Sequence, residues 1–315
     1  MRNTMNSFVY SNDNKRYHTF NYYLKEKYQS KVFKVSLNAG FSCPNRDGKV
    51  GVGGCTFCSD LGSGDYAGTI TKSLEEQYLE VKKMMHQKWP QAKYIVYFQA
   101  YTNTYAPLKI LKQTYQPFLT KPDVVALAIA TRPDCLDNSI IEYLDSLTAQ
   151  LDVWVELGLQ TTHDTIAQSF NRGYDYSVFI DCLKRLQKTK LKVCVHLING
   201  LPNESKAMMI ENVKRLNALK IDGIKIHMLH LISDSKMGQD YLHKPFPLLE
   251  LDEYVALVCE QLRYLDKEIV VQRLTGDADK NNLIAPDWTL NKTNVLNSID
   301  KFLARNNYMQ GDLCE

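Results

Sequence analysis

Six short apolar runs recur along this chain, separated by stretches long enough to be helices, and this alternation restricts the fold more than any other feature. The runs are VFKVSL (32–37), YIVYFQ (94–99), VVALAIA (124–130), VWVELGL (153–159), KVCVHLI (192–198) and GIKIHML (223–229). Each is rich in β-branched or apolar residues with little polar alternation, which is how strands buried on both faces read. Between most of them lie amphipathic stretches. SLEEQYLEVKKMMHQKW (73–89) repeats Leu74, Tyr78, Val81 and Met85 at helical spacing. SIIEYLDSL (139–147) follows Asp137, and ESKAMMIENVKRLNAL (204–219) repeats apolar residues every three or four positions, with Glu204 expected in the first helical turn, where the dipole favours it.

Strands joined by helical crossovers form a parallel sheet with right-handed connections. Six units fall short of the eight of a closed barrel, so the expected fold is α/β, a partial (β/α)6 TIM-like barrel. Residues 1–31 then form an N-terminal segment, 32–275 the core and 276–315 a C-terminal extension with a helix from Lys292 to Arg305. Ligands in such sheets sit at the carboxyl ends of the strands. Cys43 lies six residues beyond the first run, which places its loop at that end.

The 315 residues are 44% hydrophobic and 23% charged, ordinary for a globular protein. The N-terminus lacks the apolar run of a secretory signal, and no stretch reaches membrane-spanning length. The chain is therefore read as cytoplasmic, with its eight cysteines reduced. Charge is uneven. Residues 1–50 hold nine Lys/Arg against three Asp/Glu, a balance of +6, while the whole chain carries +3. The same segment holds nine aromatics, from Phe8 and Tyr10 to Phe33 and Phe41. Basic groups among aromatic rings suit a phosphate backbone with unstacked bases. They equally suit a solvated helix face with tyrosines packed on a core.

Three cysteines lie close together in CPNRDGKVGVGGCTFC (43–58): Cys43, Cys55 and Cys58. A structural zinc site takes four protein ligands, and neither His18 nor His86 stands at a matching spacing. A redox dithiol has no use for Cys43. A [4Fe–4S] cluster on three thiolates leaves one iron open to a substrate or cofactor. The cluster is the favoured reading and zinc its rival. Cys135, Cys182, Cys194, Cys259 and Cys314 show no ligand spacing and read as structural, with the role of Cys135 left open by its place in TRPDC.

This cysteine pattern, closing on Cys-Thr-Phe-Cys in a β/α chain, resembles the radical S-adenosylmethionine (radical SAM) superfamily. The eleven residues between Cys43 and Cys55 depart from the commoner three-residue gap, as in the branch that includes Elongator's catalytic subunit. ATRPDC (130–135), VELGLQT (155–161), NRGY (171–174), HLINGLP (196–202), KIHMLH (225–230) and QRLTGD (272–277) extend the likeness to the bacterial YhcC/YtqA-like family.

The resemblance implies one [4Fe–4S] cluster on Cys43, Cys55 and Cys58. S-adenosylmethionine chelates its open iron and is cleaved reductively to a 5′-deoxyadenosyl radical, with electrons from a flavodoxin- or ferredoxin-type donor. It further implies that Phe57 brings its backbone near the adenine, and that Gln99 through Asn103 hold the methionine amino group. This chain has QAYTN there, where many relatives have a Gly-Gly-Glu-like stretch. Gln160 would contact the ribose and Arg172 the methionine carboxylate. His196, Asn199 and Gly200 would line the adenosine pocket, and backbone near Met228 would touch adenine. Without that context Gln160 and Arg172 read as capping or surface residues, and His196, His227 and His230 as core histidines.

The same resemblance points to tRNA as partner and to the wobble uridine as substrate, specifically the conversion of 5-carboxymethylaminomethyluridine to its aminomethyl form. Acetyl transfer is not expected. The alternatives are a radical SAM enzyme acting on a small molecule or a protein, and a non-catalytic zinc-containing RNA-binding module.

Overall fold

The computed structural model describes residues 6–60, 62, 64 and 67–314. In chain order its elements begin with α1 (Phe20–Tyr28), β1 (Val32–Leu37), α2 (Leu74–Lys88), β2 (Lys93–Phe98), α3 (Leu108–Leu119) and β3 (Val124–Thr131). Then come α4 (Asn138–Leu147), β4 (Asp152–Gln160), α5 (Asp164–Ser169), α6 (Tyr176–Leu186), β5 (Lys192–Asn199) and α7 (Lys206–Ala218). The chain closes with β6 (Gly223–Met228), β7 (Leu231–Ile232), α8 (Lys236–His243), α9 (Leu251–Arg263), β8 (Val270–Arg273), β9 (Leu283–Ala285) and α10 (Lys292–Asn306).

All six apolar runs are strands, and β8 adds a seventh. The strand order in the sheet is β1-β2-β3-β4-β5-β6-β8, which follows the chain without reversal. A doubly wound sheet reverses at a switch point; an unbroken order is the winding of a β/α barrel. The registers of β1–β2, β2–β3, β3–β4 and β6–β8 are parallel. β7 and β9 form a separate antiparallel pair.

The chain divides into two compact units. One holds Tyr28–Leu159 and Ala167–Val195; the other holds the chain through Lys27, Gln160–Ile166 and everything from His196 onward. In the first, Val35, Leu37, Ile95, Val96, Phe98, Leu127, Ile129 and Val155 are shut off from solvent on alternate and successive positions alike. That pattern explains why the runs carry so little polar alternation. Burying each such side chain contributes about 1.5–3 kcal/mol. In the second, Ile224, Ile226, Val258, Leu262, Ile299 and Leu303 make the core.

Helix starts obey local rules. Ser73 and Glu76 close a capping box on α2, the Ser73 hydroxyl accepting from Glu76 N (3.2 Å) and Glu76 accepting from Ser73 N (2.8 Å). Asp137 caps α4 through Ile140 N. At α7 the cap is Ser205. Glu204 therefore stands before the helix and not in its first turn, a correction with consequences for the site.

Candidate active site

The loop carrying the three cysteines turns on its own backbone. Arg46 N and Asp47 N donate to Cys43 O (2.8 and 3.3 Å), Gly54 N to Asn45 O (2.8 Å) and Cys58 N to Cys55 O (3.0 Å). Gly54 sits at φ +81°, and a Cβ there would lie 2.8 Å from Arg46 Nε, so only glycine fits the turn. All three cysteines are half-buried as residues. A hydrogen bond with Cys58, then burial and the charges of Cys58 and Cys43, push the Cys55 thiol up, against the pull of Arg132. The three cysteines and Arg132 thus act on one another across one small region. Among the described residues no three His, Cys, Asp or Glu side chains converge on a single metal-ion position. A cubane takes each thiolate on a different iron, so its ligands do not meet at one point as those of a lone ion do. Asn45, fully buried, donates from Nδ2 to Cys55 Sγ at 3.8 Å. Hydrogen bonds to sulfur are among the levers that set the potential of an iron–sulfur centre. The donor set fits such a group.

The NRGY turn braces this loop. Asn45 Nδ2 donates to Asn171 O, Asn171 Nδ2 to Gly54 O (2.8 Å), and Thr56 N to Phe170 O (2.9 Å). Phe57 meets Phe170 edge-on at 5.3 Å. Gly173, at φ +80°, leaves room for Asn45; its Cβ would lie 2.7 Å from Asn45 Oδ1. Arg172 is 1% exposed. Its Nη1 donates to Leu159 O and its Nε to Tyr174 O, both at 2.9 Å, with the Tyr174 ring 4.4 Å away. Two of its five N–H donors thus tie the end of β4 to the turn. Arg132 Nη1 donates to Arg172 O (2.9 Å), while its Nε and Nη2 grip Asp134 in a bidentate pair. Asn45, Arg132 and Asn171 were not singled out from the sequence, although all three lie inside quoted motifs, CPNRDGKVGVGGCTFC, ATRPDC and NRGY.

The QAYTN stretch is pinned to the same loop. Thr102 N donates to Ser42 O (3.2 Å), the Tyr101 hydroxyl to Asp60 O, and the Arg46 guanidinium lies 5.5 Å from the Tyr101 ring centre. Gln99 is half-buried and its N donates to Leu37 O. Asn103 is fully buried, and its Nδ2 donates to the carbonyls of Phe98, Ala100 and Ala130 at 3.0–3.1 Å. Three carbonyls around Nδ2 fix the amide's orientation, which leaves Oδ1 as a buried acceptor with no partner.

Beside the cysteine loop opens a cavity of about 620 Å³. Pro44, Lys49 and Val50 line it from the loop, and Tyr105, Asp134 and Cys135 from across it. Burial, the charge of Asp134 and the charge of Cys43 all hold the Cys135 thiol up. Cys182, Cys194 and Cys259 are fully buried, and Cys314 is half-buried. In the strands below, Lys34 Nζ meets the fully buried Glu156 at 2.7 Å and lies 4.7 Å from the Tyr97 ring centre.

The other unit carries the remaining candidates. Gln160, at the end of β4, is half-buried at φ +65°, a left-handed conformation uncommon for any residue but glycine. After it comes a buried network: Thr161 Oγ1 (2.6 Å) and Asn212 Nδ2 (2.8 Å) donate to Glu204 Oε1. Glu204 Oε2 is buried without a partner, and burial pushes the carboxyl up to about 7 against those two hydrogen bonds. Asn199 is 1% exposed and exchanges hydrogen bonds with Gln261 of α9, its Nδ2 donating at 2.7 Å and its Oδ1 accepting at 3.0 Å. Its side chain is thus engaged in the core. Met228 is buried, its Sδ accepting from Gly276 N (2.8 Å). His196 is half-buried, its ring 5.6 Å from that of His227.

In the N-terminal segment the two readings divide by residue. Phe8 and Tyr17 are core, Arg16 is buried with Nη1 on Asn307, Lys15 pairs with Asp300, and Lys34 with Glu156. Tyr10, Tyr22 and Tyr23 stay part-exposed, with Lys25 and Lys27 exposed near them on α1. Among the described residues no helix is long and apolar enough to cross a membrane.

Comparison with known proteins gives a consistent result. The Radical SAM superfamily model matches residues 43–216, and the Radical_SAM C-terminal domain model residues 221–305. The chain is 47% identical over 306 residues to the uncharacterized protein YtqA of Bacillus subtilis, covering 97% of this chain and 95% of that one. It is 26% identical over 156 residues to the tRNA uridine(34) acetyltransferase of Methanocaldococcus jannaschii, about half of this chain and 28% of that one. The solved archaeal Elp3 of Methanocaldococcus infernus superposes with a TM-score of 0.67 at 17% identity, over 89% of this chain and 64% of that one. That likeness shows the fold, an α/β partial barrel.

Proposed function

The chain belongs to the Radical SAM superfamily, and from that premise we propose that it acts on the wobble uridine of tRNA, converting 5-carboxymethylaminomethyluridine to the aminomethyl form. It is an enzyme, and its cofactors are the [4Fe–4S] cluster and S-adenosylmethionine that define the family. Together these supply a carbon-centred radical able to take hydrogen from an unactivated C–H bond.

In this reading Cys43, Cys55 and Cys58 hold the cluster. Asn45 and the NRGY turn keep their loop closed, and Asn45 tunes a sulfur. The QAYTN segment presents the acceptor end of Asn103 and the Gln99 side chain to the methionine amino group. Arg172 holds the end of β4, from which Gln160 faces the ribose. His196 and Met228 border the adenosine, and Asn199 supports them through Gln261.

The observation that carries the tRNA reading is the set of part-exposed rings on and before α1, Tyr10, Tyr22 and Tyr23, with exposed Lys25 and Lys27. Rings for stacking beside cations for phosphates suit an unpaired anticodon base. The relative named for tRNA uridine(34) chemistry supports the same substrate. The carbon between amine and carboxylate loses a hydrogen atom readily, since both neighbours stabilise the radical; loss of one further electron, which the oxidised cluster would accept, and of the N–H proton would give an imine, and water would release the fragment as glyoxylate and leave the aminomethyl group. The 620 Å³ cavity beside the cysteine loop favours a second reading, a small-molecule substrate.

The test is anaerobic incubation of the reconstituted enzyme with tRNA, followed by nucleoside mass spectrometry. Carboxymethylaminomethyluridine should fall as aminomethyluridine rises, and Cys55→Ala should abolish S-adenosylmethionine cleavage. Active cleavage with an unchanged uridine profile, and tRNA binding absent or insensitive to salt, excludes the tRNA reading.

A further inference from the structure

Arg132 follows β3 directly and is fixed at three points. Its Nε and Nη2 donate to the two Asp134 oxygens at 2.9 and 2.7 Å, and its Nη1 donates to Arg172 O at 2.9 Å. The Tyr174 ring centre lies 4.9 Å from the guanidinium carbon. Pro133, with its locked φ, stands between cation and carboxylate, so the turn itself sets the pair. A guanidinium has five N–H donors. Three are engaged, which leaves one on each Nη without a protein acceptor among the described residues.

This cation is buried beside the cysteine loop. The Arg132 side chain is 9% exposed. The residue whose carbonyl it holds, Arg172, follows Asn171, and Asn171 Nδ2 donates to Gly54 O, next to Cys55. Burial works against the Arg132 charge. The Asp134 carboxylate holds it, by hydrogen bonding and then by charge, and Cys43 and Cys55 add to that hold. The Cys55 thiol, pushed up by a hydrogen bond with Cys58 and by burial, feels the guanidinium as an opposing pull. Bracing alone needs no charge here. A neutral donor could satisfy Arg172 O, and a buried ion pair gains little stability over neutral groups of the same shape. What the guanidinium adds is a fixed field at the cysteines.

We propose that Arg132 sets the reduction potential of the iron–sulfur centre: its buried charge, with two N–H groups still to give, stabilises the electron that the centre accepts, and Asp134 moderates the effect. The electron comes from a flavodoxin- or ferredoxin-type donor, which is oxidised as the cluster is reduced, with no bond made or broken. Three thiolates give the cluster one net negative charge when oxidised and two when reduced, so a neighbouring cation favours the reduced form. Net charge and hydrogen bonds to the sulfurs are both levers on such potentials. Because Asp134 and Arg172 O already fix the guanidinium, little reorganisation is needed when the electron arrives. This role rests on Cys43, Cys55 and Cys58 as the cluster ligands, as in the function proposed above, and is independent of the tRNA substrate.

The experiment is a redox titration of the full chain, reconstituted anaerobically with iron and sulfide, without S-adenosylmethionine or tRNA. The reduced fraction is read by electron paramagnetic resonance, after iron and labile sulfide are counted and folds compared by circular dichroism. Arg132→Met should lower the midpoint. At the potential that half-reduces the parent, its ratio of reduced to oxidised centre should fall about tenfold, which is about 59 mV for a one-electron couple. Asp134→Asn keeps an acceptor for Arg132 but loses the negative charge, and should move the midpoint the opposite way. Arg132→Lys, which keeps the positive charge, should lie nearer the parent than Arg132→Met. Opposite shifts from the two partners of one pair report charge, since loss of bracing alone would move both variants alike or only reduce their iron content. Where Arg132→Met fails to load, the upward shift in Asp134→Asn decides. Loaded variants with unshifted midpoints, or with shifts of the same sign, overturn the role of Arg132 alone. A parent chain that takes up no iron overturns the ligand assignment as well.

Discussion

Asn45 and Asn171 each donate their side-chain amide to the other's loop: Asn45 Nδ2 to Asn171 O, and Asn171 Nδ2 to Gly54 O at 2.8 Å. The two residues are 126 positions apart, yet they close the loop that carries Cys43, Cys55 and Cys58. The loop of the cysteines is thus held from outside its own segment.

Asn45→Ala should therefore cost about 1–3 kcal/mol, the range for a buried hydrogen-bonding group left without its partner. Iron and labile sulfide after anaerobic reconstitution should fall severalfold while far-ultraviolet circular dichroism stays unchanged. Full iron loading in this variant would show that the bracing is incidental.

Gln160 separates backbone from side chain. A non-glycine residue at φ +65° carries roughly 1–2 kcal/mol of strain. Gln160→Gly should match or exceed the parent in urea denaturation, yet bind S-adenosylmethionine about tenfold more weakly, as expected for one lost hydrogen bond of a ligand. Gln160→Ala keeps the backbone strain, so it should match the parent in urea denaturation and lose only the affinity. Unchanged affinity in equilibrium dialysis of both variants removes Gln160 from the cofactor site.

The Glu204 carboxyl, pushed up to about 7 by burial, binds its proton more tightly folded than unfolded. Its contribution is fully present below its unfolded value near 4.5 and is lost as pH rises to about 7. Glu204→Gln keeps an oxygen for Thr161 and Asn212 but cannot ionise. It should flatten stability between these limits and gain up to about 3 kcal/mol over the parent at pH 8, the size of such a shift. Urea midpoints across pH 5–8 check this; parallel curves for parent and variant would place the titration elsewhere.

Glu156 and Lys34 form a pair whose acid is fully buried. Glu156→Ala removes the carboxylate from a buried ion pair and should cost about 3–5 kcal/mol, whereas Glu156→Gln, still able to accept from Lys34, should cost clearly less. Equal losses in urea denaturation would mean that packing, and not charge, governs the site.

The architecture was legible in the chain because its signal is local. A strand buried on both faces must be apolar throughout, and a helix start needs a cap within three residues, so β1 to β6, α2 and α4 stand in the sequence near their observed bounds. β8 escaped notice because it is four residues long and ends in Gln-Arg. Glu204 looked like an ordinary helix-start acid, since no spacing tells that Thr161 and Asn212 will enclose it. The three cysteines were visible through their own spacing. The bracing by Asn45 and Asn171, the Lys34–Glu156 pair and the bond from Arg132 to Arg172 O belong to the folded chain alone. Each joins groups from separate segments. Only the packing of one element against another decides which polar groups meet.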